Sequence, residues 1–182
     1  KDIPVISSVD NPWLGTIKQQ FGRLISPFYL KPSIDYMWVP GIEQVKLAHR
    51  LGFHGEELWT GFYTCDTGKF SKVAENRFRN FRKNKTWNRR LLFVGRLIER
   101  KGVKTLIDAY EEYQNKVKEP WGLTIAGRGP MSRIIKDRKD IDYLGFVQPS
   151  DIQDLYLKAG AFVFPSYNEH WGVVIHEATT SG

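Results

Sequence analysis

From Leu91 to the last residue, short apolar strands and helical stretches alternate without exception, and no other feature of the chain restricts its fold so strongly. Strands are expected at 91–94, 121–126, 141–147 and 161–164, and helices at 103–118, after Pro130, at 151–158 and from Gly172 onward. Such alternation calls for right-handed crossovers and a parallel sheet, with ligands taken outside the carboxyl ends of the strands. The expected class is α/β.

Three of those strand ends carry residue patterns with chemical meaning. The last runs from Asn168 through Glu169, His170, Trp171 and Gly172 to Val173, Val174, Ile175, His176, Glu177 and Ala178, two carboxylates eight positions apart around a glycine. The first amides of a helix starting at Gly172 have no intrahelical partner, so amides from Gly172 to Val174 can receive a phosphate. Glu169 could meet sugar hydroxyls from the loop, and Glu177 could accept from ribose hydroxyls. The same letters also suit a helix with Glu169 as an electrostatic cap and Glu177 on a solvated face.

Upstream, Leu91-Leu92-Phe93-Val94-Gly95 leads into a turn flanked by Arg96 and Lys101. A planar guanidinium suits bidentate phosphate contact and a lysine supplies a point charge, so the two could neutralise a diphosphate leaving group without metal. Read alone, this is equally a strand, a turn and a helix with surface charges. The third pattern is Ile125-Ala126-Gly127-Arg128-Gly129-Pro130, where glycines would let backbone approach a ligand and Pro130 suits a first helical turn.

Taken in order, Val94-Gly95-Arg96-Leu97 with Lys101-Gly102, then Gly127-Arg128-Gly129-Pro130, then Glu169 to Glu177 with Gly172, resemble the donor-binding half of a family 4 (group 1) retaining glycosyltransferase of the GT-B fold. The resemblance implies a Rossmann-like parallel sheet of a GT-B C-terminal donor domain plus the last part of the N-terminal domain. It implies a UDP- or GDP-sugar donor, no cofactor and no metal, and transfer with retention to a glycan or lipid-linked acceptor. By position, Arg96 and Lys101 would hold the diphosphate, Glu169 the sugar and Glu177 the ribose, with Gly95, Gly127, Gly129, Gly172, Val173 and Val174 close to the ligand. Phe146 and Val147 would line the base pocket mainly through backbone. Trp171 stands where phenylalanine is more usual in the family, and Cys65, in Phe62-Tyr63-Thr64-Cys65-Asp66, where asparagine or glycine is common in the interdomain link.

The expected organisation is 1–70 as the end of the acceptor domain, 71–90 as a basic linker helix and 91–182 as the nucleotide-sugar domain, truncated at its C-terminus. Within the first part, strands are expected at 5–8, 35–39 and 57–63, helices at 13–24 and 42–51, and a further helix at 72–85. At 182 residues the chain is about half the length that two such domains need, and it begins without methionine, so it is expected to be a fragment with little transferase activity of its own. The resemblance implies an acceptor-side histidine that none of His54, His170 or His176 is assigned to; His170 is the best exception. Ordinary hydrogen-bonded or exposed histidines account for all three.

Residues 77–90 hold Arg77, Arg79, Arg82, Lys83, Lys85, Arg89 and Arg90 and no acid. Interleaved with Phe78, Phe81 and Trp87, these cations could lie on an anionic membrane or bind nucleic acid, or belong to a linker helix whose aromatics pack inward. Membrane contact fits lipid-linked acceptors; nucleic acid explains less of the sequence and is not expected as a partner. Asp140-Ile141-Asp142 spells an acid-x-acid metal pattern but stands at the wrong end of its strand. A single cysteine excludes a disulfide framework or zinc cluster and suits a reducing compartment, and no apolar run approaches the roughly 18 residues of a membrane span. The expected location is the cytoplasm, peripheral on the inner face of the membrane.

Overall fold

A computed structural model describes residues 3–61 and 63–182. Lys1, Asp2 and Phe62 lie outside the described residues, and with Phe62 one position of the expected strand 57–63. The chain divides into two compact units, Lys1–Tyr63 and Thr64–Gly182.

In the first unit, β1 (Ile6–Ser8), β2 (Tyr36–Trp38) and β3 (Leu58–Trp59) form a parallel sheet in that order, joined through α1 (Ile17–Ser33) and α2 (Ile42–Arg50). Met37, Val39, Ala48 and Phe53 make its core. α1 departs from the expected 13–24. It starts at Ile17 because the Thr16 hydroxyl caps it, accepting from the Gln19 amide at 3.3 Å. It then runs through Pro27 and Pro32, residues that ordinarily end a helix. Ser26 is its one buried residue and donates to the Leu51 carbonyl at 2.5 Å.

The second unit is built on a parallel sheet ordered β6-β5-β4-β7, from β4 (Arg90–Val94), β5 (Gly122–Ala126), β6 (Ile141–Gly145) and β7 (Ala161–Phe162). Its helices are α3 (Thr67–Asn84), α4 (Val103–Lys116), α5 (Ile152–Lys158) and α6 (Val173–Thr180). Side chains alternate along each strand, so the sheet is apolar on both faces. Phe93, Leu123 and Ile125 pack with Val103, Leu106, Ile107 and Tyr110 of α4, while Leu92, Val94 and Ala126 pack with Phe70, Val73 and Tyr156 from α3 and α5. The α/β class with parallel sheets follows the strand and helix alternation, with one modification. Between β5 and β6 the chain makes a 3₁₀ helix, Pro130–Ile134, instead of an α-helix.

The division differs from the expected boundary at residue 70 and the separate linker at 71–90. α3 begins at Thr67, where the Asp66 carboxylate accepts from the Lys69 amide at 3.1 Å, and belongs to the second unit. Its Phe70 and Val73 are buried in that unit's core. Arg77 reaches from α3 to donate to the Tyr156 and Ala159 carbonyls, each at 2.6 Å, satisfying the end of α5. Burial lowers the Arg77 pKa. Within the basic run, Phe81 and Trp87 stack at 4.5 Å and Arg89 pairs with Glu119 at 2.8 Å. Cys65, read from the sequence as an interdomain position, is buried in this core, 3.5 Å from the Thr180 hydroxyl.

Candidate functional site

The loops leaving β4, β5 and β6 are laced together by backbone. Gly95 donates to the Ala126 carbonyl at 3.0 Å, Leu97 to the Arg128 carbonyl at 2.9 Å and Gly127 to the Gly145 carbonyl at 2.6 Å. This closeness explains the glycine pair. Gly127 has φ +142°, and a Cβ there would lie 1.8 Å from the Gly95 carbonyl oxygen; at Gly129 it would lie 2.3 Å from that of Leu97. The close approach that Gly127 and Gly129 permit in this structure is to the neighbouring loop.

Just beyond, a cavity of about 270 Å³ is lined by Val94, Gly95, Arg96, Gly127, Phe146 and Val147, among others. Arg96 is exposed there and has no ion-pair partner among the described residues. Phe146 is 53% exposed, and the Arg128 guanidinium lies over its ring at 5.7 Å. Phe146 and Arg128 both belong to the cavity lining.

Lys101 has a different setting. The 3₁₀ turn Glu99–Lys101 closes on Gly102, which has φ +67°. A Cβ at Gly102 would lie 2.0 Å from the Pro165 carbonyl oxygen, so the position admits no side chain. The turn drives Lys101 inward, and its Nζ pairs with Glu169 Oε2. The two side chains are 10% and 22% exposed. Nζ also lies 5.1 Å from the Phe164 ring centroid, and Ser166 Oγ is 3.3 Å from the same Glu169 oxygen. Arg100 Nη1 lies 3.3 Å from His170 Nε2. The sequence reading sets Lys101 beside Arg96 at the diphosphate and Glu169 at the sugar; the fold pairs Lys101 with Glu169.

At the mouth of α6, Gly172 offers no side-chain cap, and the amides of Gly172 and Val174 make no hydrogen bond among the described residues. The Val173 amide is taken by the Trp171 carbonyl at 3.1 Å. Trp171 sits edge-on to His176 at 5.1 Å, and His176 Nδ1 lies 2.9 Å from the Thr64 hydroxyl. Glu177 is partly buried and its Oε2 is 3.0 Å from the hydroxyl of Tyr156, a residue only 2% exposed. Glu177 is thus no solvated face residue.

Burial pushes the Glu177 carboxyl above its ordinary pKa, and the Tyr156 hydrogen bond pulls it partly back. A raised pKa means that the folded chain holds this proton more tightly than the unfolded chain. The stability it contributes is full below the ordinary carboxylate range and is lost as pH rises through the raised value. Glu177→Gln removes the ionisation, so thermal unfolding should place the variant at or above the parent at pH 7, with the gap narrowing toward pH 4. A gap that widens toward acid would contradict the assignment.

A chain of close contacts links several of these groups. The Gly95 Cβ position lies 3.9 Å from the Phe164 ring, Phe164 underlies Lys101, Lys101 holds Glu169, and the Glu169 Cγ lies 3.2 Å from the Gly172 Cβ position. Tyr156, Phe164, Ser166 and Arg128 do not stand out in the sequence; only the position of Phe164 beside Pro165-Ser166 at the strand end could mark it. Asp140 is engaged by Arg138 at 2.7 Å, and Asp142 accepts from Thr124 at 3.4 Å. Among the described residues no group of three or more His, Cys, Asp or Glu is placed to hold a metal ion, and no helix is long and apolar enough to cross a membrane.

The chain is similar to known proteins. It is 35% identical over 99 residues to an uncharacterized glycosyltransferase of Methanocaldococcus jannaschii, covering 50% of this chain and 25% of that protein. It is 30% identical over 104 residues to O-antigen chain mannosyltransferase B of Escherichia coli, covering 53% and 27%. The chain thus spans about a quarter of the length of these curated relatives. Among solved structures, Anabaena Alr3699/HepE in complex with UDP and glucose superposes with a TM-score of 0.67 at 16% identity, over 99% of this chain and 51% of that one. WaaG, a glycosyltransferase involved in lipopolysaccharide biosynthesis, gives 0.63 at 17% identity, over 98% and 55%. These superpositions show the GT-B fold. The family model described as glycosyl transferases group 1 matches residues 74–182, more than half of the chain, and the chain belongs to that family.

Proposed function

We propose that the second unit is the donor site of a retaining glycosyltransferase that moves a hexose from a UDP- or GDP-sugar to a hydroxyl of a glycan or lipid-linked acceptor, in glycan, lipopolysaccharide or capsule-type biosynthesis. The observation that carries this reading is the run from the cavity at Gly95, Arg96, Gly127, Phe146 and Val147, across Phe164, to the Lys101–Glu169 pair and the α6 amides. It lies at the carboxyl ends of parallel strands, where α/β sheets take ligands. In this reading the base fills the cavity, Glu177 meets the ribose, and the α6 amides with Lys101 and Arg96 take the diphosphate. Glu169 exchanges part of its contact with Lys101 for sugar hydroxyls.

Lys101, Arg96 and the amides neutralise the departing diphosphate, so no metal is called on. The UDP held by HepE supports this class of donor. The first unit is the end of an acceptor domain, and the exposed cations Arg79, Arg82, Lys83 and Lys85 give peripheral contact with an anionic inner membrane surface. Calorimetric titration of the chain with UDP and with GDP tests the reading. Saturable binding of one of them, weakened by Arg96→Ala, is expected. Binding of neither, beside tight salt-sensitive binding of an RNA oligonucleotide, would replace it with a nucleic-acid-binding module.

A further inference from the structure

We propose that Tyr156 is the positioning residue for Glu177: its buried hydroxyl fixes the carboxylate in the orientation that receives ribose. The proposal rests on the donor-site reading, in which Glu177 faces the ribose. Tyr156 lies in α5, outside every motif of the site, and is nearly inaccessible at 2% exposure.

Its ring is locked from two sides. Phe70 of α3 meets it edge-on at 5.7 Å, and Phe162 of β7 is tilted against it at 5.9 Å. Its carbonyl is held by Arg77. A ring so fixed presents the hydroxyl at one point in space, and there it lies 3.0 Å from Glu177 Oε2 and 3.2 Å from the Val174 carbonyl. The hydroxyl has one proton to give, and a carboxylate is a stronger acceptor than a carbonyl. Donation to Glu177 occupies Oε2 and leaves Oε1, which makes no hydrogen bond among the described residues, to accept from a ribose hydroxyl. Without the phenol, the Glu177 side chain regains its rotamers and must be ordered by the ligand. Thus α3, α5 and β7 together set the aim of a residue carried on α6.

Discrimination between ribose and its absence provides the test. Affinities of UDP, GDP and their 2′,3′-dideoxy forms are measured by calorimetry for the parent, Tyr156→Phe, Glu177→Ala and the double variant. Tyr156→Phe is expected to weaken the ribonucleotide about tenfold and leave the dideoxy form within about twofold, with the double variant no worse than Glu177→Ala alone. Equal losses for both forms, or none for either, would overturn the positioning role, because a merely structural tyrosine does not distinguish them. If Glu177→Ala loses the discrimination and Tyr156→Phe keeps it, only the role of Tyr156 fails. If Glu177→Ala keeps it, the ribose contact itself is wrong and the proposal falls with it. Should Tyr156→Phe not fold, 3-fluorotyrosine at position 156 preserves the ring with a stronger donor. It is expected to tighten the ribonucleotide relative to its dideoxy form, and an unchanged ratio would overturn the proposal.

Discussion

If the proposed donor site is right, Lys101→Ala is expected to lower kcat of a transferase carrying this unit by about 10²–10³-fold, the effect of removing one preorganised group from the site of developing negative charge. The reason lies in where the ammonium is held. It sits on the Phe164 ring and against Glu169, 10% exposed, so solvent screens it little and its charge becomes available to a diphosphate as Glu169 turns to the sugar. The same substitution leaves the Glu169 carboxylate without its counter-charge. Because Glu169 is 22% exposed, the stability cost should be about 2–3 kcal/mol, below the range for fully buried pairs. The two effects can be separated. Lys101→Met combined with Glu169→Gln removes the unpaired charge and should regain most of the stability in urea denaturation while turnover stays low. Normal turnover in Lys101→Ala would remove the lysine from the mechanism.

Gly127→Ala is expected to be among the most damaging single methyl additions in the second unit. The backbone there has φ +142°, and the added carbon would lie 1.8 Å from the Gly95 carbonyl oxygen, which is backbone and cannot swing aside. Left-handed strain and overpacking together should cost about 3 kcal/mol or more, a large share of the stability of a domain of this size. The β4 and β5 loops would also be forced apart at the cavity that Gly95, Arg96 and Gly127 line. Urea denaturation of the variant, with UDP and GDP titration of whatever remains folded, reads both consequences. A variant as stable as the parent would show that the loop contact is not structural.

The parallel sheet of the second unit is legible because strands buried on both faces read as continuous apolar runs, as in Leu91-Leu92-Phe93-Val94, separated by glycines at their carboxyl ends. α1 is less so, because Thr16 and two tolerated prolines shift both its ends and only the contact of Ser26 with Leu51 reveals why. The second compact unit begins at Thr64 and not near residue 70 for a related reason. The basic run looks like a linker, but it continues α3, whose Phe70, Val73 and Arg77 cover the sheet, which depends on partners some eighty residues away. At the site, Gly95, Arg96, Lys101, Glu169 and Glu177 stand out by residue type and spacing. Their pairing does not, since Lys101 with Glu169 joins segments that follow different strands and Glu177 with Tyr156 joins two helices.

If these strand-end loops and the mouth of α6 form one nucleotide-sugar site, a single ligand must perturb all of them together. Amide NMR of the isotopically labelled chain, titrated with UDP and GDP, tests this directly. Shifts concentrated at Gly95–Arg96, Gly127–Arg128, Phe146–Val147 and Gly172–Val174, saturating at one affinity, are the result expected. Saturating shifts confined to the first unit or to residues 77–90, or shifts in the second unit that saturate at unrelated affinities, would contradict it.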